Sequence, residues 1–313
     1  MRTNLLTLLL AAVCAWPAVG EEHTFDSNGT QIHYTNDGTG DPVILIHGYT
    51  ANGSLNWKMP GIVKMLDGEH RVIVPDVRGH GDSAVPADGK YGIEAVEDIR
   101  RLMDHLGIEK AQICGYSMGG MITIKFATMY PERVASAIVG GMGWVNPGSM
   151  GERGEHYADV SQPMIETYDQ FKQLETTAED MNKLTMPLRV IVGTKDAGQI
   201  KRIELWKTIA PDLEVVYVEG AEHVNCVFRP GFKTAVNEFL TAHAQEEKFS
   251  ANDDNSGCAN LLEIGRALVK LIQEGRLARP ARDIRFWWVN EFAAEYEYFS
   301  VHPEERRKLL VNL

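Results

Sequence analysis

Cysteine is scarce in this sequence: four residues in 313, at positions 14, 114, 226 and 258. Cys14 falls in an apolar N-terminal stretch, and the other three are too few and too scattered for a disulfide framework to organise the fold. Positive charge is also short. The 31 Lys and Arg against 43 Asp and Glu leave a net charge of −12, which excludes wholesale attraction to nucleic acid or to anionic membranes. The apolar run from Leu5 to Val13 is too short to span a bilayer, so stable membrane insertion is not expected. What remains is a chain with 44% apolar and 24% charged residues, suited to a soluble globular protein with a substantial core. Its length fits one large domain, or a domain with an appendage.

The first twenty residues, "MRTNLLTLLLAAVCAWPAVG", place Arg2 before the apolar run and small residues around Ala18 and Gly20. That is the layout of a cleavable secretory leader, so the protein is expected to be secreted or periplasmic. The competing reading is an uncleaved anchor.

Residues 21–245 read as strands alternating with helices. Two short extended runs flank Asn28-Gly29, a strong two-residue hairpin signal. "PVILIHG" (42–48) and "RVIVPD" (71–76) are continuous aliphatic runs, as expected of strands buried on both faces. Helical spacing of Ile93, Val96, Ile99, Met103 and Leu106 predicts a helix over 92–106. Strand 110–115, helix 118–130, strand 134–140, strand 188–193, helix 199–210, strand 213–218 and helix 231–244 follow. The pattern predicts an α/β fold whose mostly parallel sheet carries helices on both faces. Ligands then gather beyond the carboxyl ends of the strands. The nearly fifty residues between strands 134–140 and 188–193 are too long for a simple connection and predict a small cap, at about 144–186.

A serine hydroxyl becomes a nucleophile only with a base to take its proton, a group to hold that base, and donors for the developing oxyanion. Ser117 in "ICGYSMGGM" follows a strand and opens a helix, between Gly115 and Gly119, which leave room for a tight turn. The bland alternative is a glycine-rich bend. His223, in "VEGAEHVNC", follows the last strand in a glycine-containing loop, where a lone histidine is otherwise just solvated. Asp196, in "VIVGTKD", can hold the imidazole or merely cap the helix after it. The oxyanion donors would be the backbone amides of Met118 and of Tyr49, directly after "HG". His47 and Gly48 let the first parallel strand turn beside Ser117, and Asp76 and Arg78 are expected to tie loops together. Candidates for lining a substrate pocket are His47, Met142 and Trp144, with Met150, Tyr157 and Tyr168 of the cap.

The stretches "VILIHGYT", "VIVPDVRGHGDS", "ICGYSMGGMITIKFATMYPERV", "VIVGTKD" and "GAEH" stand in an order and spacing that closely resemble the α/β-hydrolase fold family. The resemblance implies an eight-stranded sheet, with Ser117 as nucleophile, Asp196 as acid, His223 as base and the amides of Tyr49 and Met118 as oxyanion donors. Serine at 117 argues against the dehalogenase and epoxide-hydrolase branches, which place aspartate there. The implied activity is cleavage of an ester-like bond in a small molecule through an acyl-enzyme, with no cofactor. Lactone hydrolysis, carbon–carbon bond hydrolysis and cofactor-free perhydrolysis would use the same triad. A ligand-binding protein on the same fold is the alternative of another class.

Beyond residue 245 the composition changes to a polar linker, an amphipathic segment and the tryptophan-bearing "DIRFWWVN". "ANDDNSGCANLLEIGRALVKLI" and the later "RPARDIRFWWVNEF" together resemble part of a zinc aminopeptidase-like domain, with Asp253 and Glu291 as the nearest matches to its metal ligands. The remaining ligands of that family have no counterpart, so 246–313 is read as a truncated appendage without metal.

Overall fold

The structure, a computed structural model, describes residues 21–150 and 170–244. These all fall in one compact unit that ends at Gln245. The expected leader, the middle of the cap with Tyr157 and Tyr168, and the appendage with Asp253, Glu291 and Cys258 lie outside the described residues.

Strand β1 (Glu21–Ser27) and strand β2 (Thr30–Asp37) form the hairpin that Asn28-Gly29 signals. Both turn residues take positive φ, +53° and +85°, the conformation that matches the twist of the two strands. Strands β3 (Asp41–Ile46), β4 (His70–Pro75), β5 (Ala111–Tyr116), β6 (Val134–Gly140), β7 (Leu188–Gly193) and β8 (Glu214–Val218) complete the sheet. Its order is β1-β2-β4-β3-β5-β6-β7-β8. The β1/β2 and β2/β4 pairs are antiparallel and every other pair is parallel.

The aliphatic runs are continuous because the sheet is covered on both faces. Along β3, Ile44 and Ile46 enter one apolar cluster while Val43 and Leu45 enter the other, the period-two alternation of a pleated strand. The first cluster receives Val96, Ile99, Leu102 and Met103 of helix α2 (Gly92–His105) and Ile122 and Phe126 of helix α3 (Met118–Met129). The second is closed by helix α1 (Ile62–Leu66) and by helix α6 (Pro230–Ala242), which contributes Phe232, Val236 and Phe239. Helix α4 (Ala178–Met181) belongs to the cap region, where Thr177 and Asp180 form a capping box. Helix α5 (Ala197–Lys207) starts two residues before the sequence expectation, directly behind Asp196. The stretch 49–70 holds a π-helical turn at Ser54–Lys58 as well as α1. Neither is long enough to show a helical period in the sequence.

The chain leaves β3 for β4 on one side and returns to place β5 on the other, so the strand order reverses between β3 and β5. The crevice at that reversal is where an open α/β sheet offers a ligand site.

Arg78 fastens the loop after β4 to α2. It is 2% exposed, donates from Nε and Nη2 to the two Asp98 oxygens at 2.7 and 2.6 Å, and donates from Nη1 to the Lys90 carbonyl. Ser27 at the end of β1 donates to the same carboxylate. Breaking such a pair strands a buried charge, so Arg78→Ala should lower unfolding free energy by about 3–5 kcal/mol. Arg78→Met with Asp98→Leu should lose less, because neither charge is then left alone. Urea denaturation of the two variants checks both statements.

Candidate active site

Ser117 sits between β5 and α3 with φ +55° and ψ −113°, a region that non-glycine residues occupy only under constraint. The constraint is close backbone packing. A Cβ on Gly115 would lie 2.0 Å from the Gly119 carbonyl oxygen, and a Cβ on Gly119 would lie 2.1 Å from that of Ile46. Both glycines are therefore obligatory at this turn. The Ser117 amide donates to the Gly140 carbonyl at 2.8 Å, fixing the turn to β6.

His223 arrives on the loop after β8, and its Nε2 is 2.9 Å from Ser117 Oγ. Its Nδ1 is 2.6 Å from Asp196 Oδ2. The structure thus brings Ser117, His223 and Asp196 into one hydrogen-bonded chain. Asp196 uses its two oxygens separately: Oδ2 meets the imidazole, while Oδ1 accepts from the Gln199 amide at 3.4 Å and caps α5. The two readings of this residue hold together. The Asp196 side chain is 10% exposed and that of His223 38%, so the chain runs from the protein interior to an accessible serine.

Met118 opens α3, where helix geometry leaves first-turn amides without a partner in the preceding turn. Tyr49 follows the β3 turn, and its ring packs edge-on against His80 and Phe171. Both residues line a cavity of about 170 Å³ together with Ser117, Met121, Met142, Met150, Phe171, Gln199, Arg202 and His223.

Of the expected pocket residues that are described, Met142 and Met150 line this cavity, whereas His47 and Trp144 do not. Trp144 is buried in the core, where its indole N–H donates to the Thr176 carbonyl at 2.9 Å. A buried indole needs such an acceptor, and that bond holds the ring in the core. His47 is fully buried; its Nε2 accepts from the Val77 amide at 2.9 Å and its Nδ1 faces the Gly48 carbonyl at 2.8 Å. It pins the turn that carries Tyr49 rather than touching a ligand.

Two positioning groups escaped the sequence reading. Asn56 Oδ1 accepts from the Gly48 amide at 2.6 Å, and the Tyr116 hydroxyl donates to the His223 carbonyl. Only spatial proximity reveals either one. Gln199 and Arg202 carried a weak signal, since they stand one turn apart on the helix that Asp196 caps. Among the described residues, His33, Asp76 and Asp82 bring ligand-type atoms within 4.8 Å of one another. Asp76, however, already accepts from the amides of Gly53 and Asp82, and its Oδ2 lies 3.1 Å from His33 Nδ1. It serves as the tie between loops that the sequence leads one to expect.

Residues 41–151 match the family model described as alpha/beta hydrolase fold. Over 123 residues the chain is 33% identical to the cis-3-alkyl-4-alkyloxetan-2-one decarboxylase of Shewanella oneidensis, covering 38% of each chain. Over 132 residues it is 37% identical to the 2-hydroxy-6-oxo-6-phenylhexa-2,4-dienoate hydrolase of Comamonas testosteroni, covering 41% of this chain and 43% of that one. The chain thus spans about two fifths of the length of these curated relatives. Among solved structures, a thermophilic esterase from Thermogutta terrifontis is similar, with TM-score 0.59 and 23% identity, over 72% of this chain and 100% of that one. That likeness is one of fold.

Burial pushes the His47 imidazole down to about 4 from its ordinary 6.5, and protonation would also remove the acceptor for the Val77 N–H. The unfolded chain therefore takes up the proton first. The stabilising effect is complete above about pH 6.5 and is lost as pH falls towards 4, amounting to about 2 kcal/mol by about pH 5. Burial holds His80 and His70 down in the same direction. Urea midpoints should fall between neutral pH and about pH 5, and His47→Gln, which keeps an acceptor but takes no proton, should flatten part of that slope.

Proposed function

We propose that the protein, whose described residues form the eight-stranded sheet of the α/β-hydrolase fold, is a serine hydrolase. It cleaves an ester-type bond of a small substrate through an acyl-enzyme on Ser117. The observation that carries this reading is the chain from Ser117 Oγ to His223 Nε2 at 2.9 Å and from His223 Nδ1 to Asp196 at 2.6 Å, with the serine at positive φ.

In the proposed reaction Ser117 Oγ attacks the substrate carbonyl while His223 Nε2 takes its proton. Asp196 holds Nδ1–H and favours the imidazolium that forms. The amides of Met118 and Tyr49 receive the negative oxygen, in the same corner where the N-terminus of α3 is electropositive. Collapse breaks the carbon–oxygen bond, and His223 returns its proton to the departing alcohol. Water then attacks the acyl-serine, giving a proton to His223 and releasing the acid and free Ser117.

The methionine-rich lining of the cavity supports a short acyl chain whose methylene groups pack against apolar side chains. A second reading, hydrolysis of a carbon–carbon bond by the same residues, is supported by the 37% identity to the Comamonas enzyme. The acidic charge supports a small-molecule rather than a nucleic-acid partner, and residues 1–20 support export.

A fluorophosphonate probe should label Ser117, as read by mass spectrometry of the modified peptide. Ser117→Ala should lose labelling and at least about a thousandfold in kcat on short-chain p-nitrophenyl esters, with its melting curve retained. Wild-type rates in the purified variant would refute the assignment, and a labelled protein inactive on esters but active on vinylogous diketo acids would favour the second reading.

A further inference from the structure

We infer that Arg202 selects substrates whose acyl portion ends in a carboxylate, an inference that rests on the serine-hydrolase reading of the same cavity. The described walls of that cavity are mostly neutral: Met118, Met121, Met142, Met150 and Phe171 supply its apolar surface. Arg202 is the one permanently charged side chain among the described residues that line it. An apolar, water-poor surrounding strengthens the pull of a guanidinium on an anion and leaves an unpaired one costly.

The pairing pattern of the other arginines sharpens the contrast. Arg78, Arg100, Arg101, Arg133 and Arg189, all buried or half-buried, each sit on a carboxylate, whereas Arg71 donates to the Asn36 side-chain oxygen across the sheet's β2/β4 pair, away from the cavity. Among the described residues no carboxylate lies within ion-pair distance of Arg202. It donates instead to a neutral residue, from Nη2 to the Ser149 carbonyl at 3.1 Å and from Nη1 to Ser149 Oγ at 3.4 Å. Those two bonds orient the guanidinium and leave other donors of its planar fork for a ligand.

Gln199 stands one turn earlier on α5 and lines the same cavity. Its Oε1 accepts from the Gly143 amide at 3.2 Å, so the end of the side chain open to a ligand is its NH2 group, a donor. A donor amide and a guanidinium at i and i+3 make a site for a carboxylate. Helix α5 is also the helix capped by Asp196, so this site is held rigidly relative to the triad. A volume of about 170 Å³ suits a short acyl chain, such as the half-ester of a small dicarboxylic acid. The net charge of −12 repels anions at long range, but salt screens that beyond about 8–10 Å; the local cation decides.

The test compares ethyl hydrogen succinate with its uncharged isostere ethyl succinamate, by pH-stat. Wild-type kcat/KM should favour the carboxylate ester by about tenfold or more. Arg202→Met should bring the ratio to about one, chiefly through KM, and Arg202→Lys should restore part of it. A wild-type ratio at or below one, or a ratio that Arg202→Met leaves in place, overturns the inference. If the wild type cleaves neither ester, the esterase reading is judged by p-nitrophenyl ester turnover and probe labelling, and calorimetry with succinate decides the carboxylate site. Binding to the Ser117→Ala protein that Arg202→Met removes would support the carboxylate site. Absence of binding to Ser117→Ala, or binding that Arg202→Met leaves unchanged, would overturn it.

Discussion

Everything around the candidate site depends on one close approach of backbone to backbone. The end of β3, the start of α3 and the turn at Ser117 are packed so tightly that neither Gly115 nor Gly119 has room for a methyl group. Holding Ser117 at φ +55° costs on the order of 1–3 kcal/mol. The two-faced core offsets that cost by fixing β3 and β5 side by side, with Ile44 and Ile113 buried on one face and Leu45 and Cys114 on the other. The half-buried serine is presented at the carboxyl end of β5 because the surrounding backbone permits no relaxed alternative.

The side chains that hold the site form a second tier whose bonds converge on the same corner. Asn56 binds the Gly48 amide and His47 the Val77 amide, so the turn bearing Tyr49 is pinned at two points. Tyr116 reaches from the end of β5 to the backbone of His223, joining the nucleophile's strand to the loop of the base. Burial raises the Tyr116 hydroxyl well above its ordinary range and the Cys226 thiol beside it to about 12. Both stay neutral and act as packing and hydrogen-bonding groups. Asp196 shares one carboxylate between a helix cap and the imidazole, which ties the orientation of α5, and with it Gln199 and Arg202, to the triad.

Much of the architecture was legible because its signals are local. Asn28-Gly29 specifies its hairpin, and unbroken aliphatic runs mark strands covered on both sides. The strand–serine–helix junction announces itself through paired glycines. The stretch 49–70 was not legible, since a π-helical turn and a five-residue helix carry no period. Nor could residue type tell that Trp144 would turn its indole to Thr176, or that His47 would serve a neighbouring loop; a tryptophan and a histidine read the same in a core and in a pocket. Arg202 went unweighed because its one-turn spacing from Gln199 behind Asp196 is a weak signal that does not tell which surface the pair faces.

By itself the sequence determined the order and type of the elements, the glycine-bounded serine turn and the presence of an acid and a histidine at later strand ends. These follow from periodicity and from the conformations that glycine alone tolerates. Only the tertiary structure decided that residues 106 apart in the chain meet at hydrogen-bonding distance, which side chains wall the cavity and that Arg202 faces it without a carboxylate partner among the described residues. Those are relations between distant segments, set by how the sheet twists and how its helices pack, and no local pattern encodes them.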